Sequence, residues 1–152
     1  MEHSLNVCDV ALDIREAMVR RCDNLEKRLP VDSVVIASLL HDVCKADIYR
    51  PLSHRLKKMA SVFGFGCKIP SYRVDYGSQP FGHGEKSVIL LLKNGLEMTD
   101  DEMLAIRWHM GAWNLPFQSS DIIGNLNKAK AISPLVTLIQ SADGLASQIM
   151  ER

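Results

Sequence analysis

One dipeptide of this chain combines residue types that can do chemistry. His41 is followed directly by Asp42, at the end of an apolar run, in the stretch LLHDVCK. Charged side chains are rarely buried unless they are paired or bound to a metal. The pair is therefore either a surface dipeptide at a helix end or two ligands directed into a site.

Helical spacing sorts the other histidines of the chain. His3 lies four residues before Val7 and extends the first apolar stripe, although a terminal residue without fixed structure is the alternative on position alone. His109 follows apolar residues at helical spacing, and His83 opens a helix. His54 has lysines and a serine at helical spacing, which predicts an ordinary surface histidine.

Asp143 lies in the middle of the last predicted helix, beside its apolar stripe. A carboxylate in that position needs a cation or several hydrogen bonds. Its basic neighbours in sequence, Lys130 and Arg152, are distant, so a partner from another element or a metal is favoured.

The histidines and aspartates indicate a shared site more strongly together than any one of them does alone. A single inward histidine is more often a satisfied core residue, but six residues on or next to the inner faces of different helices could share one site. Imidazole and carboxylate together suit Fe, Mn, Zn or Ni without any thiolate. The candidate metal ligands are His3, His41, Asp42, His83, His109 and Asp143.

Helical periodicity dominates the chain, and no segment alternates convincingly with period two, so we expect an all-α fold of about six to seven helices. Thr99 to Glu102 matches a capping box, and Ser133 before Pro134 predicts an N-cap. The predicted apolar stripes include Met18, Leu39, Leu145 and Ile149. The predicted helices cover residues 3–22, 31–44, 53–63, 83–93, 100–110, 122–131 and 134 onwards.

Two stretches are irregular in composition. Residues 64–84, GFGCKIPSYRVDYGSQPFGHG, are rich in Gly, Pro, Ser and Tyr, and a connection of this length is usually functional or mobile. We therefore treat it as a candidate lid. Residues 111–121, GAWNLPFQSSD, form the second irregular stretch.

Length and composition limit the classes of protein to which this chain can belong. A chain of 152 residues suits one domain, residues 1–152, and equal numbers of acidic and basic residues argue against a protein that coats long nucleic acid or a membrane. No apolar run approaches the ~20 residues that span a bilayer, and the first residues lack a signal peptide's pattern. We therefore expect a cytoplasmic protein. Its four cysteines, without a C-x-x-C pair, should be free thiols that pack as small hydrophobes.

The set of histidines and aspartates resembles the HD-domain superfamily of metal-dependent phosphohydrolases. The family pattern is an early His, a His-Asp pair and a late Asp, matched here by His3 in HSLNV, His41-Asp42 in LLHDVCK and Asp143 in QSADGLAS. The resemblance covers nearly the whole chain. It implies an HD-type helical bundle that holds one or two divalent transition metals.

Two further histidines resemble those of the binuclear branch of this superfamily, which includes the HD-GYP cyclic-dinucleotide phosphodiesterases and some bacterial 3′–5′ exoribonucleases. They are His83 in FGHGEKS and His109 in IRWHMG. The resemblance implies that Asp42 bridges two metals and that these histidines hold the second one, or contact phosphate around a single metal.

Lys45 lies one turn after His41 and can reach the same site. The resemblance implies that this lysine contacts the substrate phosphate, which makes Asp42 and Lys45 the candidate catalytic residues. The alternative for Lys45 is a cation that a helix C-terminus favours. Further candidates for phosphate contact are Arg73, Lys86 and Arg107. Trp108, Trp113 and Tyr76 could stack on a base, although Trp108 is better interpreted as a core residue.

The resulting prediction is a metal-dependent phosphohydrolase or phosphodiesterase acting on a small phosphorylated substrate, a nucleotide. One alternative is a regulatory module that binds metal and nucleotide without turnover. Another is a ribonuclease on short RNA, which a salt-dependent affinity for oligonucleotides would support. The sequence leaves the oligomeric state open.

Overall fold

The computed structural model describes residues 2–53, 72–75, 81–111 and 120–151. The predicted helix over residues 53–63, with His54, lies outside these ranges apart from its first residue. Most of the candidate lid, together with Tyr76 and Trp113, also lies outside them.

Helices make up most of the described chain, which confirms the all-α prediction. A π-helical turn, Ala146–Met150, continues the last helix. The helices are α1 (Glu2–Val19), α2 (Leu25–Arg28), α3 (Val31–Leu40), α4 (Lys45–Ile48), α5 (His83–Lys93), α6 (Asp100–Trp108), α7 (Ser120–Ile132) and α8 (Pro134–Leu145).

A small antiparallel sheet was not predicted. Strand β1 (Tyr49–Pro51) pairs with strand β2 (Tyr72–Val74), and Arg50 lies opposite Arg73. Both strands are exposed along their whole length, and three residues are too short for an alternating pattern to show in the sequence.

The main core lies between helices α1, α3, α6 and α8. Helix α1 packs against α3 and α8, and α6 packs against α3, α5 and α8. Several of the buried residues are alanines, whose small side chains let the helix backbones approach closely. Burying one large aliphatic side chain such as Ile106 or Ile139 contributes about 1.5–3 kcal/mol. Core residues from these four helices include Val7, Ala11, Val34, Ala37, Ala105, Ile106, Leu135, Ile139 and Ala142.

The start of α6 confirms the predicted capping box. The Glu102 amide donates to Thr99 Oγ1 over 3.3 Å, and the Thr99 amide donates to Glu102 Oε2 over 2.8 Å. The second carboxylate oxygen, Glu102 Oε1, accepts a hydrogen bond from Ser33 Oγ over 2.6 Å. One glutamate therefore starts α6 and ties it to α3. His109 directly follows α6, and His41 directly follows α3.

For the second predicted helix, residues 31–44, the predicted end and the predicted inner face were both wrong. Helix α3 ends at Leu40 rather than at residue 44, and a turn leads into α4. The His41 ring contacts the Ser38 carbonyl, which would accept from the Asp42 amide if the helix continued. Leu39, predicted to face inward, is 36% exposed, because the buried face of α3 runs through Val34 and Ala37.

Three other residues predicted in the apolar stripes are exposed. Met18 lies in the last turn of α1, which ends at Val19 rather than at residue 22. Leu145 and Ile149 are exposed because the buried face of α8 continues only to Ala146, where the π-helical turn changes the register. The spacing of apolar residues predicts which face of a helix is buried. It does not predict how far along the helix the neighbouring element extends to cover that face.

Ser133 precedes Pro134 at the start of α8, as predicted, but its side chain does not cap the helix. Its Oγ is buried and has no hydrogen-bond partner within the described ranges. The predicted position of the helix start is confirmed, and the predicted capping hydrogen bond is not.

Candidate metal centre

The six residues predicted as metal ligands converge on one place. They come from α1, from the turn after α3, from the start of α5, from the end of α6 and from α8. In each of three overlapping groups, one donor atom per residue lies within 4.8 Å of the others. The groups are His3, His41 and Asp42; His41, His109 and Asp143; and Asp42, His83 and His109.

Asp42 lies between the histidines, and its two carboxylate oxygens face different pairs. Oδ2 lies 3.5 Å from His41 Nε2 and 3.6 Å from His3 Nε2. Oδ1 contacts His83 Nε2 and lies 3.5 Å from His109 Nε2. A carboxylate with one oxygen toward each pair is arranged as a bridge between two cation positions.

Asp143 completes the side of the centre that contains His3. Asp143 Oδ1 lies 3.2 Å from His3 Nε2 and accepts a hydrogen bond from Ser147 Oγ over 3.3 Å. His3 Nε2 also lies 3.3 Å from His41 Nε2. The predicted inward orientation of His3 therefore agrees with the geometry.

The two histidines at the ends of α3 and α6 share one local arrangement. His41 Nδ1 lies 2.6 Å from the Ser38 carbonyl oxygen, and His109 Nδ1 lies 2.7 Å from the Ile106 carbonyl oxygen. A carbonyl only accepts, so each Nδ1 carries the hydrogen. In the neutral ring, each Nε2 then offers a lone pair toward Asp42, which is the form that binds a metal.

A carboxylate holds His3 in the same way. Glu151 Oε1 and Oε2 lie 2.9 and 3.2 Å from His3 Nδ1, and Asn6 Nδ2 donates to Glu151 Oε1 over 3.1 Å. Hydrogen bonds from Asn6 and His3 lower the pKa of the Glu151 carboxyl. His3 therefore donates through Nδ1 and directs the lone pair of Nε2 toward Asp143.

The π-helical turn helps to bring Glu151 to this position. Eight residues along a regular α-helix turn the direction of a side chain by two full turns plus about 80°. A π-helical turn contains more residues per turn, which reduces the angle between Asp143 and Glu151. Sequence reasoning missed Glu151; the spacing of four residues from Asp143 to Ser147 and again to Glu151 was its only signal.

His83 has a thiol behind it rather than a carbonyl. Cys44 Sγ lies 3.1 Å from His83 Nδ1, and the Cys44 amide donates to Ser87 Oγ over 3.3 Å. Burial lowers the pKa of His83, but its hydrogen bonds with Asp42 and Cys44 outweigh this effect and raise the pKa to about 9. Cys44, expected only as a small hydrophobe, therefore also positions a histidine.

Asp42 stays ionised in this environment. Burial opposes its charge, but the surrounding imidazoles of His109, His41 and His83 hold the pKa of the carboxyl far below its usual range. Lys45 Nζ also contacts Asp42 Oδ2. Burial opposes the charge of Lys45, yet the contact with Asp42 raises the pKa of the ammonium group.

The donor set fits divalent transition metals. Within the described ranges, His109 Nε2 is buried without a hydrogen-bond partner, although it faces the carboxylate. The lone pairs of His3 and His41 point at each other over 3.3 Å, which is unfavourable unless a cation or a proton lies between them. Imidazole nitrogens and carboxylate oxygens are ligands that Fe, Mn, Zn and Ni accept.

The other predicted phosphate contacts lie elsewhere. Arg107 pairs with Glu85, and its guanidinium lies 4.0 Å from the ring centroid of Trp108, which is buried in a second small core as predicted. Lys86 is buried in α5, and Arg73 on β2 pairs with Asp75 over 3.1 Å. The described residues that line the cleft at the centre do not include Arg73, Lys86 or Arg107.

A cleft of about 430 Å³ opens at the centre. Its charged part contains Lys45 and four of the proposed ligands. A second, uncharged part comes from α8 and the π-helical turn, which sequence reasoning missed because glutamine, glycine and serine carry no chemical signal by themselves. The residues of this uncharged part are Gln140, Gly144, Ser147 and Gln148.

The comparisons with known proteins agree with this geometry. Residues 1–148 match the family model of the HD domain, a family that binds divalent metals and consists mainly of metal-dependent hydrolases. No curated protein and no solved structure matches the chain significantly. Across the parts of the chain that the structure describes, no helix combines the length and apolarity that crossing a membrane requires. The chain belongs to the HD domain family, within the metal-dependent phosphohydrolase superfamily.

Proposed function

We propose that this protein hydrolyses small phosphate esters, with nucleotides as the substrate class, at a centre that holds two divalent metals. The position of Asp42 carries the proposal. Its two carboxylate oxygens face separate pairs of histidines, His3 with His41 and His83 with His109. A site for one structural cation would not need a second set of ligands on the other oxygen.

The chain offers a distinct ligand set for each metal. His3, His41, Asp42 and Asp143 would hold the first, and Asp42, His83 and His109 would hold the second. When bound, such metals lower the pKa of water and polarise phosphoryl oxygens. The hydrogen bonds behind the histidines fix their orientation before any metal arrives, which favours metal affinity.

Lys45 is the group of this chain best placed to meet the charge of a phosphoryl oxygen. It lines the cleft, its Nζ contacts Asp42, and the raised pKa keeps it charged at neutral pH. A fixed cation beside developing negative charge stabilises a transition state more in a partly dehydrated site than in water. We therefore assign Lys45 to phosphate orientation and charge stabilisation.

The size of the cleft supports a small substrate. Its volume of about 430 Å³ lies within the range of sites that enclose a small ligand. The zero formal net charge of the chain gives no general attraction to long nucleic acid. A single nucleotide or a short phosphodiester fits both observations.

The test is a hydrolysis assay on protein purified without chelator and loaded with Mn²⁺, Fe²⁺, Zn²⁺ or Ni²⁺. The substrates are nucleoside monophosphates, cyclic nucleotides, dinucleotides, short RNA and p-nitrophenyl phosphate. Asp42→Asn keeps the shape of the side chain but removes the charge, and Asp13→Ala changes an exposed aspartate of α1 as the control.

We expect hydrolysis by the parent protein and by Asp13→Ala, and none by Asp42→Asn. Metal and nucleotide binding without hydrolysis of any substrate would reject the enzyme and favour the regulatory module. Hydrolysis of dinucleotides and short RNA alone would favour the ribonuclease.

A further inference from the structure

One side of α8 and of the following π-helical turn lines the cleft with uncharged groups. Gln140 lies one turn before Asp143, Gly144 directly follows it, and Ser147 lies one turn after it. These spacings place the residues on the helix face that also presents Asp143. Together they form a wall about 10 Å long beside the metal ligands.

The charges of the cleft limit how many phosphoryl groups it can accept. Within the described ranges, Lys45 is the cation that lines it, and this lysine already contacts Asp42. Asp42 and Asp143 are the carboxylates of the lining, and both belong to the proposed metal ligands. A second or third phosphate along the α8 wall would meet no cation among the described residues of the lining, whereas a neutral group would meet no electrostatic barrier from them.

The amide of Gln140 packs against a glycine. Gly111 has φ +56°, and a Cβ at this position would lie 2.8 Å from Gln140 Cδ. The Gln140 amide therefore lies directly over the Gly111 backbone, two residues after His109. A primary amide presents a donor and an acceptor side by side, the pattern that pairs with the edge of a nucleobase.

Gly144 leaves the wall open. No heavy atom lies within 4 Å of the position that a Cβ would occupy at Gly144, so a side chain would project into free space at the cleft. Glycine is a poor choice for the interior of a helix on propensity alone. Its absence of a side chain keeps the space beside Asp143 accessible to a ligand.

We propose that Gln140, Gly144 and Ser147 form the subsite for the nucleoside part of a nucleoside monophosphate. The proposal rests on the proposed function in placing the phosphoryl group at the histidines and aspartates. The base pairs with the Gln140 amide, the sugar hydroxyls meet Ser147, and Gly144 provides the room between them.

The test compares ligand affinities by calorimetry on the metal-loaded full chain, so that it does not depend on turnover. The ligands are inorganic phosphate and the phosphonate analogues of adenosine 5′-monophosphate and ribose 5-phosphate, whose carbon–phosphorus bond a phosphohydrolase does not cleave. Gly144→Leu fills the wall, and Gln140→Leu removes the amide. Gly124→Leu is the matched control, because Gly124 in α7 also has no heavy atom within 4 Å of its Cβ position and does not line the cleft.

We expect the parent protein and Gly124→Leu to bind the nucleotide analogue at least about tenfold more tightly than inorganic phosphate, as hydrogen bonds to a base edge allow. Gly144→Leu and Gln140→Leu should lose most of this preference while their affinity for phosphate and their metal content stay unchanged. Equal affinities of the parent for the nucleotide analogue and phosphate, equal affinities for the two analogues, or a preference that survives both wall substitutions would overturn the subsite.

The subsite and the proposed function can be rejected independently of each other. Hydrolysis without any dependence on the wall would reject the subsite alone. A wall-dependent preference for the nucleotide analogue in a protein that hydrolyses nothing would reject the enzyme alone.

Discussion

The backbone of Gly84 packs directly against the carbonyl group of Arg107. A Cβ at Gly84 would lie 2.7 Å from the Arg107 carbonyl carbon, a distance that real side chains do not tolerate. This contact joins the start of α5 to the end of α6. It brings the rings of His83 and His109 to a centroid distance of 5.4 Å, so a residue without chemistry of its own sets the spacing of two proposed ligands.

Gly84→Ala should therefore separate α5 from α6. We expect a loss of about 1–3 kcal/mol in the free energy of unfolding, the usual cost of overpacking, and a loss of the metal proposed to bind at Asp42, His83 and His109. Urea unfolding and metal content measure the two effects. Gly124→Ala is the control and should be neutral or slightly stabilising, because its Cβ meets no atom. Unchanged stability and metal content in Gly84→Ala would show that the contact does not set the spacing.

Glu151 should support metal binding through His3. Glu151→Ala removes the acceptor for His3 Nδ1, and we expect a metal affinity about 10–100-fold lower, as for other partners of metal-bound histidines. Glu151→Gln keeps an acceptor oxygen and should lose less. Competition with a chromophoric chelator gives the affinities, and Glu97→Ala, at an exposed glutamate, is the control. If Glu151→Ala and Glu97→Ala bind metal equally well, His3 does not depend on Glu151.

The stability of the metal-free protein should depend on pH through His83. Its pKa of about 9 in the folded protein lies above the ordinary value of 6.5, so the protonated ring favours folding. This contribution is fully present below pH 6.5 and is lost as the pH rises through about 9. Urea unfolding of chelated protein at several pH values between these limits should show declining stability. His83→Gln should flatten that decline, and an equally steep decline in the variant would assign it to another group.

Metal binding should show the opposite dependence on pH. A metal needs the deprotonated ring of His83, so binding releases a proton while His83 is charged in the metal-free protein. We expect apparent affinity to rise with pH from about 6.5 to about 9. Titrations in buffers with different ionisation enthalpies count the released protons. An affinity independent of pH would contradict the combination of a raised pKa and a role as ligand for His83.

Lys45→Met should separate metal binding from catalysis. The substitution keeps much of the aliphatic chain but removes the charge beside Asp42, so the metals should remain. We expect kcat to fall by about 10²–10³-fold, the usual cost of removing one group that stabilises transition-state charge. Lys93→Met, at an exposed lysine of α5, is the control. Full turnover in Lys45→Met would leave this lysine as a structural partner of Asp42.

Much of the centre could be predicted because helical spacing fixes which residues share a face. His3 precedes Val7 by one turn, and Asp143 flanks the stripe of α8; in the structure, His3 Nε2 lies 3.2 Å from Asp143 Oδ1. The capping box at Thr99 was also predictable, because its two partners lie only three residues apart in the sequence.

Other features depend on contacts between distant parts of the chain. The turn after Leu40 coincides with a contact between the His41 ring and the Ser38 carbonyl, which apolar spacing cannot reveal. Glu151 reaches His3 across 148 positions of sequence, and the π-helical turn before it has no simple sequence signature. The approach of Gly84 to Arg107 likewise appears only when two helices are packed together.

The metal content per chain, measured by elemental analysis on protein purified without chelator and then supplied with Mn²⁺, Fe²⁺, Zn²⁺ or Ni²⁺, tests the central claim most directly. The account predicts about two equivalents, one for each ligand set that shares Asp42. About one equivalent would contradict the bridge and leave His83 and His109 as contacts of the substrate phosphate. No bound metal under any of these conditions would contradict the metal centre itself.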